Sequence, residues 1–170
     1  RICEAAVRLG IRKFKITGGE PLVRKGCVDF MRCLKETDGV ETVTLTTNGM
    51  FVKEHIDEFK HMGLDGINIS LDTLDRKQFH RLTGTDGVDA VVDAVAACVS
   101  AGLKTKINSV LLSETKSQIL RLAHLAQEMP VDVRFIEVMP IGFGRFEKGP
   151  TEDAVLQILQ AEYPDLAYRR

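Results

Sequence analysis

Hydrophobic positions follow two different periods along this chain, and segments of the two kinds alternate. Five short segments have apolar or β-branched residues at every second position, which is typical of half-buried strands. These segments are residues 12–17, 41–46, 66–72, 104–112 and 131–138. Other segments have apolar residues three or four positions apart, as amphipathic helices do. The predicted helices are residues 1–9, 28–37, 52–62, 75–82, 87–101, 116–129 and 151–162.

The order of these elements restricts the fold. Each predicted strand is followed by a helix, and no hairpin turn joins two strands. This pattern predicts an α/β fold with a parallel sheet, because parallel strands need long crossover connections. Two architectures fit the pattern: an open doubly wound sheet and part of a (β/α) barrel.

The polarity of the strand faces favours the barrel. In the first strand, Phe14 and Ile16 share one face, and Lys13 and Lys15 share the other. A polar face recurs in later strands, at Thr44, Thr46, Asn68, Ser70, Lys106 and Asn108. Central strands of a doubly wound sheet are covered on both faces and should be apolar on both. A barrel with helices outside fits better, and its polar lumen is predicted to hold a polar ligand, since ordinary barrels fill the lumen with apolar side chains.

Composition then narrows the function classes. The 170 residues include 23 Lys and Arg and 24 Asp and Glu, which gives a net charge of −1. A chain of this length can bury one good core. The balanced charge argues against a nucleic-acid partner bound through general basicity. No apolar run approaches the roughly 18 residues of a membrane span, so we expect no membrane partner.

The cysteines and the chain ends carry further expectations. The four cysteines show no metal-ligand spacing, and with no signal peptide visible they favour a cytoplasmic location. They are Cys3, Cys27, Cys33 and Cys98. The sequence starts without Met and inside a predicted helix that Gly10 ends, so we expect a piece of a longer chain. We expect residues 1–150 to form the core, and residues 151–170 to hold a final helix, with Thr151 as N-cap, and the start of an extension.

Short polar motifs stand where the predicted strands end, which is where parallel α/β folds bind ligands. They are Thr17-Gly18-Gly19-Glu20-Pro21, Thr46-Thr47-Asn48-Gly49, Ser70-Leu71-Asp72, Lys106-Ile107-Asn108 and Arg134-Phe135-Ile136-Glu137. The adjacent glycines allow close approach to a ligand and permit positive φ. Each motif alone has a plain structural interpretation: a Gly-Gly turn, an Asn-Gly turn, or Asp72 capping the next helix. Together, at equivalent positions, they indicate one site.

In this order and register the motifs resemble the radical S-adenosylmethionine superfamily. The stretches KFKITGGEPL, NISLDT, KIN and RFIEVMP narrow the likeness to the GTP 3′,8-cyclase (MoaA) family of molybdenum cofactor biosynthesis, over residues 1–165. The resemblance implies strands two to six of a partial (β/α)₆ barrel of TIM type. It also implies S-adenosylmethionine and two [4Fe–4S] clusters in the whole protein, with cluster cysteines outside this sequence. We therefore expect no metal ligand here and no turnover by these 170 residues alone.

The resemblance also assigns roles to residues. It implies that Gly18, Gly19 and Glu20 flank the amino group of S-adenosylmethionine, that Ser70 hydrogen-bonds this cofactor and that Met139 contacts it near the adenine. For Met139, packing is the plain alternative. The positions used for GTP are Lys13, Lys15, Thr46 and Lys106, and Arg134 is a further cation predicted in the lumen. In that family arginine is more usual at the position of Lys15. A lysine cannot make the bidentate phosphate contact of a guanidinium, so we expect a weaker phosphate contact here. No catalytic residue is assigned, because cofactor and cluster carry the chemistry.

The implied reaction is that of a lyase. A 5′-deoxyadenosyl radical removes the ribose 3′-hydrogen of GTP and the resulting radical attacks C8 of guanine, giving (8S)-3′,8-cyclo-7,8-dihydroguanosine 5′-triphosphate. A downstream partner enzyme then forms the cyclic pyranopterin. The resemblance leaves open whether the protein forms a homodimer. One alternative is another radical enzyme of the peptide-modifying or activase type, against which the lumen lysines argue. The other is a non-catalytic nucleotide-binding barrel module.

Overall fold

A computed structural model describes residues 1–146 and 148–167 of the chain. The five strands, β1 to β5, are Lys13–Ile16, Thr42–Thr47, Gly66–Ser70, Thr105–Leu111 and Asp132–Glu137. The seven α-helices, α1 to α7, are Ile2–Arg8, Cys27–Lys35, Ile56–His61, Arg76–Thr83, Val88–Ser100, Ile119–Glu128 and Glu152–Glu162. Every predicted strand and helix is thus present, with ends shifted by a few residues.

Two helices begin later than the sequence predicts. Short 3₁₀ turns, Val52–His55 and Lys116–Gln118, precede α3 and α6. Such tighter turns are common at the start of α-helices. Two other helices begin at side-chain caps: Asp75 accepts the Gln78 N–H at 2.8 Å before α4, and Thr151 accepts the Ala154 N–H at 3.4 Å before α7. The predicted cap at Thr151 is confirmed, whereas Asp75, not Asp72, caps α4.

The strands form one parallel sheet in the order β1-β2-β3-β4-β5, open rather than closed. A doubly wound sheet would reverse direction along its strand order, whereas a barrel adds each strand beside the previous one. The sequential order therefore confirms the predicted α/β architecture of the barrel type. The register pairs Lys15 with Thr44 and Thr46 with Asn68.

The chain divides into two compact units, each with its own core. The first contains residues 1–70 and 89–107, and its largest buried side chains include Phe59, Met31, Leu34, Leu45 and Ile67. The second contains residues 71–88 and 108–170. Its core includes Leu111, Ile119 and Val155, with Phe135, Ile158 and Leu159 packed against them. The domain boundary expected at residue 150 stays a prediction.

The predicted difference between strand faces is present. Along β2, Val43 and Leu45 are fully buried while the intervening threonines are half-buried, and β4 shows the same alternation. Asn68 departs from the pattern: it is only 6% exposed. Its amide nitrogen donates to the Leu45 carbonyl at 3.2 Å and to Thr46 Oγ1 at 3.3 Å, so burial does not cost it a partner.

Within the described residues, none of the helices is long and apolar enough to cross a membrane.

Candidate cofactor and nucleotide site

The loop after β1 exposes bare backbone at Gly18 and Gly19. Neither glycine adopts the positive φ that this residue type permits. A Cβ added at either position would meet no other atom within 4 Å. Since neither backbone conformation nor packing within the described residues requires glycine here, the distinctive property that remains is a main chain that a ligand can approach closely.

Glu20 follows these glycines, and its carboxylate accepts three hydrogen bonds. Oε1 accepts from the Leu22 N–H at 3.0 Å and from the Thr47 hydroxyl at 2.8 Å. Oε2 accepts from the Asn48 N–H at 2.7 Å. The first of these bonds caps the 3₁₀ turn Pro21–Val23. The other two connect the loop after β1 to the loop after β2.

The loop after β2 is a turn that its own side chains stabilise. Asn48 Oδ1 accepts the Met50 N–H at 3.0 Å, and Thr47 Oγ1 accepts the Gly49 N–H at 3.2 Å. Gly49 has a φ of +87°, and a Cβ there would lie 2.9 Å from the Ile69 side chain. The plain interpretation of Asn48-Gly49 as a turn is therefore correct. The sequence alone does not reveal that Glu20 holds this turn.

The residues predicted to bind GTP in the first unit lie on the more polar strand face. Lys13 and Lys15 are exposed on β1, and Lys106 is half-buried on β4. Thr46 is half-buried, and its Oγ1 accepts a hydrogen bond from Asn68. Cations on one face of a nearly neutral protein concentrate positive charge locally, which suits an anionic ligand.

Beside β1 lies a cavity of about 430 Å³ whose walls include Lys15, Arg24, Lys25 and Phe30. In residues 1–146 and 148–167, none of these three cations forms an ion pair. None of the described residues that line the cavity carries a carboxylate. The sequence analysis did not single out Arg24 and Lys25, and the available signal was two adjacent basic residues shortly after the Gly-Gly-Glu-Pro motif. These side chains add to the positive charge near Lys15.

Ser70 ends β3 in the first unit and is exposed, so its hydroxyl is accessible. Met139 and Arg134 belong to the second unit and are also exposed. Met139 is 67% exposed, so packing does not explain it within the part of the chain that the structure describes. Its predicted cofactor contact stays a prediction, as does the role of Arg134.

Two polar side chains of the second unit have unusual environments. Asp72 Oδ1 accepts the Val110 N–H at 2.7 Å, and burial raises the pKa of this carboxyl group above its usual range. Asn108 Oδ1 is buried, and no residue that the structure describes donates to it. A buried acceptor without a donor is costly. The sequence motif contains Asn108 but gave no reason to select it.

The cysteines do not fit an iron–sulfur cluster within the described residues. The structure brings together no group of three His, Cys, Asp or Glu side chains in that part of the chain. Burial raises the pKa of the Cys27 thiol and raises that of Cys98 to about 12. The open backbone at Gly18 and Gly19 and the accessible Ser70 hydroxyl, by contrast, fit S-adenosylmethionine.

A comparison with known families assigns the chain to a superfamily. The family model described as the radical SAM superfamily matches residues 1–126. The chain therefore belongs to the radical SAM superfamily, whose enzymes use S-adenosylmethionine and an iron–sulfur cluster.

Individual relatives are more specific. A protein named GTP 3′,8-cyclase from Clostridium perfringens is 40% identical over 163 residues, which cover 95% of this chain and 50% of that protein. Another with that name, from Rhodopirellula baltica, is 38% identical over 164 residues, covering 94% and 46%. The chain spans about half the length of these relatives.

A solved structure supports the fold. The crystal structure of Streptococcus suis SuiB bound to S-adenosylmethionine matches with a TM-score of 0.76 and 24% identity, covering 97% of this chain and 37% of that one. At this identity the likeness concerns the fold.

Proposed function

We propose that these residues form the core of an enzyme that converts GTP to (8S)-3′,8-cyclo-7,8-dihydroguanosine 5′-triphosphate in molybdenum cofactor biosynthesis. The observation that carries the proposal is the position of Lys13, Lys15 and Lys106 on polar strand faces, in a chain about 40% identical to proteins named GTP 3′,8-cyclase. GTP brings several negative charges that must be neutralised at binding. A peptide substrate has no such general requirement.

The proposed roles follow from the chemistry of each group. The cations attract the triphosphate, and Thr46 offers a hydroxyl beside Asn68. Gly18 and Gly19 let main-chain acceptors reach the ammonium of S-adenosylmethionine, Ser70 donates to that cofactor, and Met139 of the second unit contacts its adenine. When bound, the cofactor supplies the radical chemistry, while the protein orients the ligands and excludes water. Arg134 is proposed as a further phosphate contact.

The remaining parts of the proposal concern the whole protein. It would carry two [4Fe–4S] clusters on cysteines outside residues 1–170, supply its product to a pyranopterin-forming enzyme, and form a homodimer. Its proposed location is the cytoplasm, supported by the four free thiols. Residues 1–170 alone are expected to be inactive.

The decisive experiment is a GTP-binding and turnover assay of the proposed full-length enzyme and its Lys106→Ala variant. We expect the variant's Kd for GTP to rise about tenfold or more, because one charge-assisted phosphate contact is lost. Lys60→Ala is the matched control, since Lys60 is exposed on α3. This substitution removes one positive charge, as Lys106→Ala does, but at a position that is not proposed to bind GTP. Unchanged GTP affinity in Lys106→Ala, or no cyclised product from the parent enzyme, would contradict the proposal.

A further inference from the structure

Glu20 connects two loops that carry different parts of the proposed site. We infer that Glu20 is a positioning residue that couples the loop after β1 to the loop after β2, so that binding of both ligands depends on it. This inference rests on the proposed function, which assigns S-adenosylmethionine to the first loop and GTP to Thr46 beside the second.

The hydrogen bonds of Glu20 indicate this role in preference to direct ligand contact. A carboxylate offers about four lone-pair sites, and protein donors occupy three of those on Glu20. Two of the donors, Thr47 and Asn48, lie 27 and 28 positions away along the chain. About half of the carboxylate's capacity therefore holds the second loop, a third bond holds the first loop, and about one lone-pair site remains for an ammonium group.

The coupling reaches both ligand positions over very short stretches of chain. Gly19 directly precedes Glu20, and Thr46 directly precedes Thr47. Thr47 is only 2% exposed, and its hydroxyl donates to Glu20 while accepting from the Gly49 N–H. A displacement of the Glu20 carboxylate is thus transmitted to the main chain of both loops.

Thr47 provides the variant that separates coupling from direct contact. Its hydroxyl is buried and is not proposed to touch either ligand. Thr47→Val removes the hydroxyl at nearly constant shape, and Thr47→Ser retains it. In Glu20→Gln an amide N–H₂ replaces one acceptor oxygen, so at least one of the three donors loses its partner.

The test measures the Kd for S-adenosylmethionine and for GTP in the proposed full-length enzyme and these three variants. Coupling predicts that Glu20→Gln and Thr47→Val each raise both Kd values, about tenfold for a lost hydrogen bond to a charged group, and that Thr47→Ser binds like the parent. The inference is overturned if Glu20→Gln weakens only S-adenosylmethionine while Thr47→Val binds both ligands normally. That pattern would make Glu20 a direct ligand.

A second measurement keeps this inference distinct from the proposed function. In ¹H–¹⁵N spectra of the 170-residue chain without ligands, Glu20→Gln should shift the amide signals of Leu22 and Asn48 together. Shifts confined to residues 18–22 would overturn the coupling, whatever the enzyme's substrate. If both loops shift but the parent enzyme does not bind GTP, the coupling stands and the proposed function fails.

Discussion

The Lys35 ammonium lies 2.7 Å from Oδ2 of Asp65, and the same carboxylate oxygen accepts the Val43 N–H at 2.7 Å. These two bonds join the end of α2, the start of β2 and the residue before β3. Both charged side chains are partly shielded, with exposures of 21% and 31%. The pair thus connects three elements at the end of the sheet opposite the candidate site.

Asp65→Ala is expected to destabilise the protein by about 1–3 kcal/mol, because it leaves the partly buried Val43 N–H and the Lys35 ammonium without their acceptor. Asp93→Ala is the control, since the Lys53–Asp93 pair is exposed and 3.5 Å long. We expect that control to change the free energy of unfolding by less than about 0.5 kcal/mol. Urea unfolding measures the free energy of unfolding of both variants. Equal losses in Asp65→Ala and Asp93→Ala would contradict the structural role of Asp65.

Gly18 and Gly49 should respond oppositely to alanine. Gly49→Ala forces a side chain to a φ of +87° and against Ile69, so we expect a loss of about 1–3 kcal/mol in unfolding free energy. Gly18→Ala meets no atom within 4 Å and no positive φ, so stability should be unchanged or slightly higher. Thermal unfolding compares the two variants. Binding of S-adenosylmethionine by a full-length Gly18→Ala enzyme should nevertheless weaken, and unaltered affinity would argue against the proposed cofactor position.

Asp72→Asn should stabilise the protein near neutral pH. Burial raises the pKa of Asp72 in the folded state, so the folded protein favours the protonated carboxyl group. The stability that this group contributes is fully present below its ordinary pKa of 3.8 and is lost as the pH rises through the raised pKa. Asparagine keeps an acceptor for the Val110 N–H and carries no charge. The gain over the parent should therefore disappear below about pH 3.8.

Asp75→Asn serves as the control for this pH dependence. Asp75 is exposed, and asparagine caps helices about as well as aspartate. Urea unfolding from pH 3 to pH 8 should then show little difference between this variant and the parent. A gain for Asp72→Asn that is the same at every pH would contradict the role of its charge.

The thiols should differ in reactivity. Cys33 is exposed, whereas Cys98 is buried with its pKa raised to about 12. Alkylation at pH 8 followed by peptide mass spectrometry should label Cys33 first and Cys98 only after unfolding, since the thiolate is the reactive form. Equally rapid labelling of both cysteines in the folded protein would show that the burial of Cys98 is wrong.

Lys15→Arg should tighten GTP binding by a full-length enzyme a few-fold, because a guanidinium can hold a phosphate with two parallel hydrogen bonds. Lys15 also lines the cavity with Arg24 and Lys25, so the larger head group has an open space to enter. Lys60→Arg controls for the general effect of arginine, and calorimetry measures the Kd. Weaker binding by Lys15→Arg alone would mean that the contact depends on a compact ammonium.

The sequence predicted the fold well because its main signals are local. The alternation of Val43 and Leu45 with threonines defines β2 and its buried face, and repeated strand–helix succession limits the topology to very few forms. The 3₁₀ starts of α3 and α6 escaped prediction, since hydrophobic period alone does not distinguish an i+3 turn from the first turn of an α-helix.

The candidate site was predictable in its location but less so in its contacts. Strand ends indicated where Gly18 and Ser70 would lie. The bonds from Glu20 to Thr47 and Asn48 span 27 and 28 positions, and no periodicity encodes such a pairing. The concentration of Arg24 and Lys25 beside Lys15 similarly depends on the path of a loop, which local sequence preferences specify weakly.

Within residues 1–170, the place of β1 at the end of the strand order has a consequence for self-association. An edge strand presents main-chain donors and acceptors to other molecules, and lysines on such a strand discourage sheet-to-sheet pairing. Lys13 and Lys15 are exposed there, so replacing them with neutral residues should promote precipitation of the 170-residue chain. In the proposed full-length enzyme a preceding strand would cover this edge, so the same two lysines would protect against aggregation only in the isolated piece.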